Sequence, residues 1–191
     1  MDRFVKVAEY TEDQQHSEAV LLTHVAHRTV NLAACGGTGV VVAYRALNSL
    51  RGKAMTGSMM GSLLRTNAAA LLIGTAAGVA MTEARMAGKT TVEWQDRAYR
   101  VLNSAGQNTT DEWSAAGGMA GFMLGLSGLG VANGGKTASV GTARSLSLTV
   151  RTLGGAGLGS VVGLLSMVGY QSALKAGLVD VVAEKVKAFR E

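Results

Sequence analysis

Four stretches of the chain carry no charged residue, and they alternate with polar connections. They cover residues 29–44, 66–82, 114–135 and 152–174. A helix needs about 20 residues, at ~1.5 Å each, to cross a hydrocarbon layer ~30 Å thick. The two shorter stretches reach this length when their flanking arginines extend toward the headgroups. The pattern predicts an all-α integral membrane protein with four transmembrane helices. Their expected bounds are 29–47, 64–83, 114–135 and 152–174.

A short amphipathic helix is expected in the long middle loop, at residues 92–103. Its apolar side chains follow the i, i+4, i+7, i+8 spacing of one helix face: Trp94, Ala98, Val101 and Leu102. Glu93 and Arg97, like Asp96 and Arg100, are placed to form i, i+4 ion pairs. The apolar face either rests on the headgroup layer or packs on a partner protein, and the sequence leaves both open.

Basic residues are concentrated in two of the connections. Loops 45–65 and 136–151 hold four and three basic residues and no acidic one. The polar N-terminal segment (1–28), the middle connection (83–113) and the amphipathic C-terminal tail (175–191) contain residues of both signs. Short loops rich in Lys and Arg stay on the inner side of a membrane, so both basic loops are expected on that side. Both termini and the middle connection then lie on the opposite side.

Small residues fill the membrane stretches in place of leucine and isoleucine. The chain has 26 glycines and 16% charged residues, against about 25% charge in an average soluble domain. Ladders with four-residue steps predict the helix-packing positions, which are Gly74, Gly78, Gly117, Gly121, Gly125, Gly155, Gly159 and Gly163. A further step joins Ala33 and Gly37. In lipid, burying apolar surface between helices gains nothing, so close backbone approach supplies the packing. Each ladder could face a helix of the same chain or of another subunit.

No set of side chains indicates catalysis. The four stretches lack Asp, Glu, Lys, Arg and His, the residue types that mark proton relays and ion pathways in membranes. His24 and His27 are three residues apart but lack the further ligands of a zinc site. The single cysteine, Cys35, excludes an intrachain disulfide. We therefore expect no catalytic, cofactor or metal site and no nucleic-acid partner. The roles of these two histidines and of His16 stay open.

The layout resembles the Tim-type inner-membrane family of mitochondria. That family includes the preprotein translocase channel subunits and one accessory subunit of respiratory complex I. Its local signature is an Arg, then an acid, then a small-residue run entering the third helix. Ala116, Gly117 and Gly121 match that run, Asp111 lies near the acidic position, and Arg100 lies farther upstream than in the family pattern.

Three segments look most like the complex I accessory subunit: Ala43-Tyr44-Arg45, residues 69–80 and Glu83-Ala84-Arg85. The resemblance implies a multi-pass protein of the mitochondrial inner membrane with its termini in the intermembrane space. It also implies a non-catalytic subunit of NADH:ubiquinone oxidoreductase that stabilises the membrane arm. Its partners would be the other membrane-arm subunits and membrane lipids, including cardiolipin at the basic loops.

Two other functions remain open on the sequence. The first is a Tim-type preprotein translocase subunit, whose path needs a polar or charged lateral face in the membrane. The stretches offer only uncharged polar side chains there, such as Asn31, Asn67, Asn133 and Gln171. The second is another kind of small membrane protein or a carrier-like transporter, and a transporter would place a substrate site near the midplane. No residues mark such a site, so the accessory subunit is the preferred expectation.

Overall fold

The computed structural model describes residues 5–54, 57–128 and 146–177. This part of the chain is all-α, with a short 3₁₀ turn and five α-helices and no strand. The 3₁₀ turn is Thr11–Asp13. The helices are α1 (Ser17–Leu50), α2 (Met59–Met86), α3 (Thr91–Leu102), α4 (Ala105–Ser127) and α5 (Leu148–Lys175).

The turn from α2 into α3 is defined by a glycine and a capping box. Gly88 has a φ of 72°, a left-handed conformation that glycine adopts without strain and that reverses the chain after α2. At the start of α3 the Glu93 carboxylate accepts a hydrogen bond from the Thr90 amide at 2.9 Å. It also forms an ion pair with Lys89 at 2.9 Å, and these two contacts hold its pKa below the usual range. Glu93 therefore pairs with Lys89, and not with Arg97 as the spacing predicted.

The four long helices pack in an order that differs from their order along the chain. Helix α5 lies between α4 and α2, and α1 packs along α2. A small apolar cluster of Ala34, Ala70 and Val161 joins α1, α2 and α5. Because α5 contacts both of its neighbours along its length, it is the central helix of the bundle.

Helix α3 packs on protein through its apolar face. Trp94 is 8% exposed and contacts Leu21 of α1 and Met86 of α2. Ala98 and Leu102 lie one and two turns further along α3, pack against α1 and are fully buried. The face that could have rested on headgroups is thus covered by the ends of two long helices.

The distribution of polar and apolar side chains is reversed relative to a protein folded in water. Leu32, Ile73 and Leu165 are 75%, 66% and 66% exposed, whereas Asn67 and Ser114 are completely buried. Water would favour the opposite arrangement, because exposed apolar surface is costly there and buried amides must find partners. Hydrocarbon around the bundle removes the first cost. The described structure is therefore that of a helical membrane protein.

Among the described residues, three helices and not four are long and apolar enough to cross a membrane: α1, α2 and α5. The expected third span, 114–135, corresponds to α4, which is not among them. The first half of α4 is polar, with Gln107, Asp111 and Glu112, and glycine dilutes its apolar half. The expected end of that span lies beyond 128, outside the described residues.

The helices also extend beyond the charge-free stretches. Helix α1 begins at Ser17, inside the segment expected to be merely polar, and ends at Leu50 instead of 47. Its 34 residues measure ~51 Å, well beyond a ~30 Å hydrocarbon layer. A charge-free stretch marks where a helix can face lipid, and it says little about where helical hydrogen bonding begins. Of the expected amphipathic tail, 175–191, residues 178–191 lie outside the described residues.

Candidate functional site

Helices α1 and α4 meet along a partly buried stripe of polar groups, which we call the polar seam. On α1 its members are His24, His27, Arg28 and Asn31, at i, i+3, i+4, i+7 spacing. On α4 they are Asp111 and Ser114, at i, i+3 spacing, together with the backbone carbonyl of Gln107, whose side chain is exposed. Both spacings place all members of a set on one helix face. The two polar faces therefore meet each other.

Asp111 is the charged centre of the polar seam. Its side chain is 5% exposed, with Oδ2 lying 2.9 Å from His24 Nδ1 and Oδ1 lying 3.1 Å from Arg28 Nε. Because a carboxylate can only accept, His24 Nδ1 carries the hydrogen in this contact. The Arg28 guanidinium also donates to the Gln107 carbonyl at 3.0 Å. The buried negative charge is thus neutralised by an arginine that itself reaches solvent, with its side chain 33% exposed.

Ser114 joins the rest of the polar seam. Its hydroxyl donates to the Asp111 carbonyl at 3.2 Å and accepts from the Asn31 amide at 3.1 Å. Its oxygen also lies 2.7 Å from His27 Nε2. The Ser114 hydroxyl and the His27 ring therefore share a hydrogen bond between the two helices. The contacts with Asn31 and His27 therefore join α4 to α1.

The polar seam does not have the geometry of a hydrolase. His27 contacts Ser114 while His24 contacts Asp111, so no single histidine links a serine to a carboxylate. Ser114 is completely buried, with its hydrogen directed at the backbone. Among the described residues, no group of three or more His, Cys, Asp or Glu could hold a metal ion. The arrangement fixes the position of α4 against α1.

Sequence reasoning missed the polar seam for a definable reason. On the sequence alone, 1–28 is predicted to be a polar segment and 114 the start of a helix. The residues of the polar seam are therefore assigned partly to polar segments and partly to membrane helices. The available signal was the helical spacing of four polar residues from His24 to Asn31, which crosses that boundary. His16 lies outside the seam, at the start of α1, with a φ of 55°.

Glycines of α4 and α5 form a second contact, in which two backbones touch. A Cβ added at Gly121 would lie 2.8 Å from the Gly155 carbonyl carbon, and closer still to its oxygen. One at Gly117 would overlap the Gly159 carbonyl oxygen in the same way. The remaining positions of the two ladders, Gly125 and Gly163, face the backbones of Arg151 and Trp113. Both three-step ladders therefore face each other within one chain.

The glycines of α2 lie against α1. A Cβ at Gly74 would lie 2.7 Å from Val30 Cα, and one at Gly78 would lie 2.6 Å from Ala26 Cα. At this contact the Thr29 hydroxyl of α1 donates to the Gly74 carbonyl at 2.7 Å. Such a bond across helices satisfies a polar group where no water is available.

A third set of small residues faces away from the rest of the described chain, on an outer surface of α1. Cys35, Gly39 and Ala43 recur at four-residue steps and are all exposed. An added Cβ at Gly36 or Gly39 would lie farther than 4 Å from every neighbour among the described residues. We call this surface the outer α1 face. By contrast, Gly37 faces α2, where its Cβ would lie 2.7 Å from Thr66 Cγ2.

The glycine contacts, the polar seam and the apolar exterior define a helical membrane protein. Residues 7–144 match the family described as "Protein of unknown function (DUF1757)". The match covers well over half of the chain, so the protein belongs to this family. It takes in α1 to α4 and ends before α5. No curated protein matches the chain.

Gly121→Ala should lower the free energy of unfolding by about 1–3 kcal/mol, because the added methyl must push α5 away from α4. Gly106→Ala is the matched control, since it lies on α4 with no neighbour within 4 Å. It should be neutral or stabilising by less than about 1 kcal/mol, from helix propensity. Thermal unfolding in mild detergent, followed by circular dichroism, measures both. Equal effects would mean that α4 and α5 are not in backbone contact.

Asp111→Asn should destabilise the protein by about 2–4 kcal/mol, because it leaves Arg28 without its counter-charge. The partial exposure of Arg28 keeps this loss below that of a fully buried ion pair. Asp96→Asn, which breaks the exposed pair with Arg100, should cost less than about 0.5 kcal/mol. The same unfolding assay compares them. A loss at Asp111 no larger than at Asp96 would show that the seam contributes no more than a surface pair.

Proposed function

We propose that this protein is a non-catalytic accessory subunit of mitochondrial complex I, which stabilises the membrane arm by packing against its other subunits. The outer α1 face supports this proposal best. Glycine in a membrane helix exposes backbone that lipid chains cover poorly but another helix can approach closely. The inward glycines are already matched within the chain, so these outward small residues are available for a helix of another subunit.

The surface of the bundle favours a subunit over a translocation path. Side chains exposed at mid-helix include Val40, Leu72, Met119 and Val162, all apolar. The buried amides of Asn31 and Asn67 point into the bundle, where Asn67 donates to Thr38 at 2.9 Å. A path for preproteins would place such groups on a lateral face. A translocase subunit of the Tim-type family is therefore the second candidate.

The proposal includes a fourth span, formed by α4, in the mitochondrial inner membrane, with both termini in the intermembrane space. Helix α4 has 23 residues, ~35 Å, which is enough to cross the hydrocarbon layer. Its glycine ladder runs along α5, which is itself long and apolar enough to span. A helix in backbone contact with a spanning helix shares its depth in the membrane.

Gly39→Leu should reduce incorporation into complex I several-fold, because leucine blocks helix approach at the outer α1 face. Gly169→Leu is the matched control, since it makes the same change at an open position on α5. Mitochondria solubilised in mild detergent and run on a native gel with an NADH dehydrogenase stain provide the readout. Comigration with import components, for the unaltered chain, would instead assign it to the translocase.

A fourth span places the ends of α4 on opposite sides of the membrane. In a Cys35→Ser background, Lys89→Cys and Ser147→Cys report the positions before α3 and before α5. A membrane-impermeant maleimide added to mitoplasts should label the Lys89→Cys variant and reach the Ser147→Cys variant only after detergent. Labelling of both from the same side would mean that α4 does not cross.

A further inference from the structure

A cavity of about 510 Å³ lies where α1, α2 and α3 meet, on the side of the bundle away from the basic loops. Its floor is apolar and includes Leu21, Met81 and Met86. Three arginines, Arg85, Arg97 and Arg100, line it from α2 and α3. Its volume lies within the ~300–1,000 Å³ of ligand-binding sites. An apolar floor bordered by arginines matches an amphiphile with a negative headgroup.

Two of these arginines, Arg85 and Arg97, carry a positive charge that no ion pair among the described residues neutralises. Arg100 forms an ion pair with Asp96 at 2.8 Å. Neither Arg85 nor Arg97 has an ion pair or a side-chain hydrogen bond in the part of the chain that the structure describes. The natural partner of Arg97 would be Glu93, one turn earlier, but that carboxylate is held by Lys89 and Thr90.

The other nearby carboxylates do not compensate this charge. Glu83 is two residues before Arg85, and side chains at that separation point to different sides of a helix. Asp111 is engaged by His24 and Arg28 in the polar seam. Two guanidinium groups therefore border apolar surface without a counter-ion from the described chain.

In a bilayer centred on α2, the cavity would lie at headgroup depth. Helix α2 has 28 residues, ~42 Å, so the turns at its ends extend past a ~30 Å hydrocarbon layer. Arg85 and Met86 belong to the last turn, while Met81 lies one turn deeper and is 60% exposed. The arginines thus lie where phosphates are found, and the floor continues into the acyl-chain region.

We propose that this cavity binds an anionic phospholipid, with its phosphate between Arg85 and Arg97 and an acyl chain along Leu21, Met81 and Met86. Guanidinium groups bind phosphate oxygens through paired, charge-assisted hydrogen bonds. Two uncompensated positive charges favour a lipid with net negative charge over a zwitterionic one. The site is distinct from the basic loops, where lipid contact was expected from the sequence, and it does not depend on which complex the protein joins.

The test uses the full chain in neutral detergent with a fluorescent phosphatidylglycerol as probe. Unlabelled phosphatidylglycerol should displace the probe at about tenfold lower concentration than phosphatidylcholine. The double variant Arg85→Gln/Arg97→Gln should lose this preference. The matched control is Arg51→Gln/Lys53→Gln, which removes two charges from the loop after α1 at the opposite end and should keep the preference.

Three results would overturn the proposal. The first is a preference that survives Arg85→Gln/Arg97→Gln. The second is an equal loss in the control, which would mean general attraction by net charge. The third is displacement of the probe by glycerol phosphate as readily as by the lipid, since the apolar floor would then contribute nothing. If the double variant does not fold, Met81→Trp provides a second test, because it covers the apolar floor of the cavity and leaves every charge in place. This variant should weaken probe binding, and unchanged binding would also overturn the proposal.

Discussion

Contact between bare backbones is the interaction on which this fold depends. In a bilayer, moving leucine from lipid to a helix interface gains little, so helices associate where they can approach most closely. Helix α5 does this on two sides: Gly155, Gly159 and Gly163 face α4, while Gly154 and Gly157 face α2. A side chain larger than hydrogen at any of these positions would meet backbone atoms. The bundle is therefore organised around one helix whose two glycine faces fix both neighbours.

Hydrogen bonding complements this contact where glycines are absent. Helices α1 and α4 have no facing ladders, and they are joined by the polar seam around Asp111 and Ser114. Backbone proximity tolerates small shifts along a helix, whereas an ion pair and a set of directed hydrogen bonds fix one register. The glycine contacts thus supply close packing, and the polar seam supplies the alignment of α4 with α1. An apolar exterior surrounds both, as expected of a protein whose solvent is lipid.

How much of this could be predicted depended on whether a feature is local in the sequence. The all-α class and the glycine positions were visible as periodic patterns within single helices. Which helix each ladder faces was not, because Gly117 and Gly159 are equally compatible with a partner in another subunit. The polar seam joins residues 87 positions apart. The predicted helix ends were wrong because charged residues mark where the lipid-facing surface ends, and not where the helix ends. Helix α1 therefore begins at Ser17, well before the charge-free stretch that starts at residue 29.

The weak apolar character of α4 has a consequence for synthesis. Helix α4 leaves the ribosome before α5, yet the surface that would hold it in a bilayer is the glycine face of α5. Transfer into lipid alone would stabilise α4 only weakly, because its polar first half and its glycines reduce the free energy gained on insertion. In the proposed arrangement with four spans, the two helices would enter the membrane together. An insertion machinery would then have to shelter α4 until α5 has also reached the membrane.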